Sequence, residues 1–78
     1  MEVKVYSTPV CPYCYTLKIY LKQHNIEFAD IDVSQNDEEQ EAMIEKSGQM
    51  GVPVVEIDGE IVVGFDREKI SKLLNIKD

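Results

Sequence analysis

A chain of 78 residues has room for one domain, residues 1–78, with a small core. Its net charge of −7 is uneven: residues 26–45 carry eight acids and no base, whereas residues 1–25 set Glu2 against Lys4, Lys18 and Lys22. No basic patch can neutralise phosphates, which excludes nucleic-acid binding, and no apolar run approaches the roughly 18 residues of a membrane span.

In chain order, Val3 to Tyr6 reads as a buried strand and Ser7 to Val10 as a loop broken by Pro9. A helix is expected from Pro12, where a missing N–H does no harm, to about His24-Asn25. Cys14, Leu17 and Leu21 form its inward stripe, with Tyr13, Thr16 and Tyr20 on a neighbouring one. Lys18 and Lys22 read as solvated, and Lys18 adds mild positive potential. Ile26 to Val33 alternates apolar and acidic residues and reads as a second strand. Ser34 or Asn36 caps a second helix with acids in its first turn, where the helix dipole favours them. Met43, Ile44 and Ser47 are its inner side and Gly48 ends it. The acids of this stretch read as a solvated helix face, or as an electrostatic face that selects partners.

Pro53 to Ile57 and Glu60 to Gly64 are two short strands around Asp58-Gly59, a strong two-residue hairpin signal. Asp66 caps a last helix with Ile70, Leu73 and Leu74 as its apolar positions. The order is βαβαββα. The first two strands are expected to be parallel through a right-handed crossover and the last two antiparallel, which gives a four-stranded mixed sheet flanked by three helices. Met1 leads straight into the first strand, so no signal peptide is expected, and the expectation is a soluble cytoplasmic monomer.

The chemistry lies in Cys11-Pro12-Tyr13-Cys14, which holds both cysteines of the chain. Two cysteines fall short of a secreted disulfide framework, and a disulfide closing so short a loop adds little stability. A C-x-x-C pair where a strand meets a helix is instead a redox signal. The helix beginning at Pro12 aims unpaired N–H groups and a positive dipole end at Cys11, which favours a thiolate. Cys14 lies one helical turn on, within the spacing of about 4.4–6.8 Å between Cα atoms that a disulfide needs. A closed zinc site needs four ligands, and His24 lies about two and a half turns from Cys14, so no metal is expected.

These residues, with Ser47-Gly48, Val52-Pro53 and Gly64-Phe65-Asp66, make the chain resemble a glutaredoxin of the thioredoxin-fold superfamily over nearly its whole length. The resemblance implies a thiol–disulfide oxidoreductase with Cys11 as nucleophile and Cys14 as resolving cysteine. It implies a cis bond before Pro53, the one kind of peptide bond for which cis costs little. It also implies a glutathione groove. There Tyr13 forms a wall, the Val52 backbone pairs with the cysteinyl part, and Asp66 meets the γ-glutamyl ammonium. The turn at Gly64, Phe65 and Asp66 would receive that residue's carboxylate. Glutathione is then the reductant and co-substrate, and the other partners are disulfide-containing or glutathionylated proteins.

Three departures from the family pattern bear on glutathione. The family's usual lysine three residues before the first cysteine is Thr8, its T-V-P is Gly51-Val52-Pro53 after Met50, and its second acid after Gly64 is Arg67. Supports for the tripeptide's glycine carboxylate are therefore missing. The resemblance leaves open a thioredoxin-like redoxin, reduced by a flavin enzyme such as thioredoxin reductase and feeding a reductase such as ribonucleotide reductase. It also leaves open an iron–sulfur cluster carrier, although Pro12 and Tyr13 argue against the C-G-F-S type that carries such clusters.

Overall fold

Capping residues set where each helix begins. The chain runs β1 (Val3–Ser7), α1 (Pro12–Gln23), β2 (Ala29–Asp32), α2 (Asp37–Ser47), β3 (Val54–Ile57), β4 (Glu60–Val63) and α3 (Arg67–Leu74), in a computed structural model that describes residues 2–76. Pro12 opens α1 behind Cys11, and Asn36 caps α2 by accepting the Glu39 N–H at 3.1 Å. Asp66 caps α3 by accepting the Lys69 N–H at 3.2 Å. In the β3–β4 hairpin Asp58 and Gly59 both take positive φ, 47° and 91°, as a two-residue turn of matching twist requires. The sheet order is β2-β1-β3-β4, with β1 and β2 parallel and the other pairs antiparallel, which is the expected thioredoxin-like arrangement.

Side chains alternate across a strand, so residue parity assigns the faces. Val3, Val5, Val55, Ile57 and Val62 lie on one face, packed with Leu17, Tyr20 and Leu21 of α1 and Ile70 and Leu74 of α3. Tyr6 and Val54 lie on the other with Val33, which follows β2, and Met43 of α2. Tyr20, on the stripe beside Cys14, Leu17 and Leu21, also belongs to the first core. Its ring meets Phe65 edge-on at 5.6 Å, and the Arg67 guanidinium lies 5.3 Å from its centroid.

The second strand is shorter than its alternation suggests. Ile26 and Phe28 pack on the α1 side, whereas Ile31 packs on the α2 side, so the apolar residues of 26–33 do not share one face. Only Ala29–Asp32 pairs with β1. The α2 side is fastened by polar links. Lys46 Nζ donates to Glu56 at 2.8 Å and to the Tyr6 hydroxyl at 3.2 Å. Among the described residues no helix is long and apolar enough to cross a membrane.

Candidate active site

β1 delivers the chain to the site through the buried Ser7, and a turn closed by the Cys11 N–H on the Thr8 carbonyl (3.4 Å) reverses it into α1. Cys11 is the N-cap of α1, and its sulfur accepts the Cys14 N–H at 3.1 Å. That N–H is one of those a helix N-terminus leaves without a backbone partner. The two cysteines differ in access. Cys11 is half-buried, whereas Cys14 is 1% exposed, and both are free thiols. Burial pushes the Cys14 thiol up to about 11, aided by its hydrogen bond with Cys11 and by the nearby Cys11 charge. The Thr8 backbone and Lys18 pull the other way.

Lys18 is not simply solvated. Its ammonium lies 3.0 Å from Asp30, which also accepts the buried Ser7 hydroxyl at 3.0 Å. The i,i+4 spacing from Cys14 gives Lys18 the helix face of that cysteine, but the ion pair depends on β2 lying beside β1, which no local pattern reveals.

A second wall comes from the loop between α2 and β3. The Val52–Pro53 bond is cis, and the Val52 carbonyl lies 3.9 Å from the Cys11 sulfur. The Pro53 carbonyl accepts the Gly64 N–H at 2.8 Å, which ties this loop to the turn before α3. Gly64 has thus committed its N–H, Phe65 turns its ring into the core against Tyr20, and Asp66 is an exposed cap. Tyr13 is 69% exposed beside the cysteines. Met50 is equally exposed at 69%, and Val10, directly before Cys11, reaches 88%. Val10 is the rim residue that motif reasoning passes over, although an apolar residue in a loop abutting a nucleophile is visible in the sequence. Cys11, Cys14 and Val52 are brought together directly, while Pro53 and Gly64 join through the backbone. Among the described residues no cluster of three metal-ligating side chains forms.

The glutaredoxin family model matches residues 3–62. A glutaredoxin-like protein of 8.6 kDa from the rubredoxin operon of Clostridium pasteurianum, itself uncharacterised, is 50% identical over 72 residues, covering 92% of this chain and 96% of the relative. A thioredoxin-like protein, crystallised as a mutant, superposes with a TM-score of 0.92 at 36% identity, covering 97% of each chain. The glutaredoxin-like NrdH-redoxin of Escherichia coli, described as having a thioredoxin-like activity profile, superposes with a TM-score of 0.84 at 26% identity, over 94% of this chain and 95% of that one.

Proposed function

The chain belongs to the glutaredoxin family of thiol–disulfide oxidoreductases, and from that premise we propose that it is a dithiol reductant of protein disulfides. In this role it acts as a cytoplasmic redoxin recharged by a flavin reductase of the thioredoxin-reductase kind. The observation that carries the proposal is the surface around Cys11. Val10, Tyr13 and Met50 present an open apolar rim, and Thr8, Met50 and Gly51 stand where the family has cationic or polar supports for glutathione. Such a rim suits a folded or peptide partner that buries apolar area on docking.

The reaction runs in two exchanges. The Cys11 thiolate attacks one sulfur of the substrate disulfide. That S–S bond breaks, a mixed disulfide forms at Cys11, and the departing thiolate takes a proton from water. Cys14 then gives up its proton to water and attacks the Cys11 sulfur. The mixed disulfide breaks, the second substrate sulfur leaves as a thiolate that takes up a proton, and the Cys11–Cys14 disulfide forms. Two electrons have passed to the substrate, and the external reductant returns them.

A second reading is a glutathione-dependent glutaredoxin acting on glutathionylated proteins. It is favoured by the Val52 carbonyl, 3.9 Å from the Cys11 sulfur, and by the exposed Asp66 cap. NADPH consumption separates the two. One arm supplies glutathione with glutathione reductase and a glutathione mixed disulfide, and the other supplies thioredoxin reductase and a protein disulfide. Turnover confined to the thioredoxin-reductase arm, and lost in Cys14→Ser, is the expected result. Turnover confined to the glutathione arm, and retained in Cys14→Ser, would overturn the first reading in favour of the second. Cys11→Ser is expected to abolish both.

A further inference from the structure

The loop that carries Val52 past Cys11 is shaped by a side chain to which nothing above gives a role. The Gln49 carboxamide closes on both backbone groups of Gly51: Oε1 accepts the Gly51 N–H at 2.7 Å, and Nε2 donates to the Gly51 carbonyl at 3.0 Å. It thus pairs with Gly51 much as a neighbouring strand would. Gln49 is itself anchored, because the Ser47 hydroxyl shares its one hydrogen between the carbonyls of Met43 at 2.7 Å and Gln49 at 2.9 Å, and accepts the Gln49 N–H at 3.4 Å. The end of α2 therefore fixes Gln49, and Gln49 fixes Gly51, the residue before Val52.

A Cβ at position 51 would lie 2.7 Å from Gln49 Oε1, so a side chain there would displace the flexible end of the carboxamide from this clamp. One donor and one acceptor of the carboxamide are thus turned onto Gly51 within the loop. Met50, at the tip between them, is held outward on the rim.

We propose that Gln49 is a positioning residue for disulfide reduction: its clamp on Gly51 holds the Val52 carbonyl, outside the β3 ladder and 3.9 Å from the Cys11 sulfur, where the backbone flanking an incoming cysteine can meet it. The proposal rests on the thiol–disulfide chemistry of the family and is independent of which reductant serves the chain.

The test oxidises the fully reduced protein stoichiometrically with two disulfides, a disulfide-linked peptide and bis(2-hydroxyethyl) disulfide, which has no peptide backbone. Gln49→Ala is expected to slow the peptide reaction about tenfold, the scale of losing one or two neutral hydrogen bonds. It is expected to leave the small disulfide within about twofold, because Cys11 itself is untouched. Gln49→Glu, which keeps an acceptor for the Gly51 N–H, should fall between. Gly51→Ala should reproduce Gln49→Ala, and the double variant should be no slower than either, since both remove the same clamp. Equal slowing of the two disulfides, unchanged peptide reduction, or an additive loss in the double variant would each overturn the proposal. A wild-type protein inert to both disulfides would overturn the redox reading itself, and the clamp's role with it.

Discussion

Among the described residues, ten buried ones form a continuous apolar layer on the α1–α3 side of the sheet. On the α2 side only Tyr6, Val33, Met43 and Val54 of the described residues are buried together, and Lys46 bridges α2 to Tyr6 and Glu56. Apolar burial is large but non-directional, whereas hydrogen bonds are individually modest and fix geometry. The thick layer therefore supplies most of the stability. The thin one supplies direction, and it does so at the turn of α2 that leads into the loop facing Cys11.

The largest test of this contrast is Leu17→Ala on the thick side. Leu17 is fully buried, and its truncation is expected to cost about 2–5 kcal/mol in denaturant unfolding. A loss under about 1 kcal/mol would mean that the thick layer is not where stability resides. Next is the buried thiol on the same side. The folded state holds the Cys14 proton up to about 11 against an ordinary value of 9.0. Its contribution is whole below pH 9.0 and is lost as pH rises towards 11, by on the order of 2 kcal/mol. Unfolding of reduced protein should show this alkaline decline. Oxidised protein, with no Cys14 proton to lose, should lack it, and parallel profiles would refute the assignment.

Smaller still is Lys46→Met on the thin side, expected to cost about 1 kcal/mol near neutral pH. Its hydrogen bonds to Glu56 and Tyr6 raise the Lys46 pKa above the ordinary 10.5, so this contribution is intact below that pH and fades above it. A cost equal to that of Leu17→Ala would erase the distinction between the two sides. The smallest effect is expected from Glu41→Gln on the exposed acidic face of α2, within about 0.5 kcal/mol by thermal unfolding. A larger change would show that this face is part of the fold's support rather than solvated surface.

What the sequence made legible follows from local rules. Pro12, Asn36, Asp66 and Asp58-Gly59 act on residues within four of themselves, and each marks its boundary. The C-x-x-C pair was legible for the same reason. Pairing across the sheet was not. The alternation of 26–33 hides a change of face between Phe28 and Ile31 that only the register with β1 exposes. Lys18 with Asp30, Lys46 with Tyr6, and Tyr20 with Phe65 meet across separations that no periodicity encodes. Gln49 was hidden differently: its partner is two residues away, but a carboxamide folding onto a glycine leaves no composition or spacing signal.

The contact between the two sulfurs also bears on timing. Two of the influences that hold the Cys14 proton in place come from Cys11, one a hydrogen bond and the other its charge. Once Cys11 is joined to a substrate sulfur, these two influences weaken, while burial, the largest of them, still holds the Cys14 proton. The second nucleophile therefore waits inside the fold, and the first one's capture removes part of what restrains it.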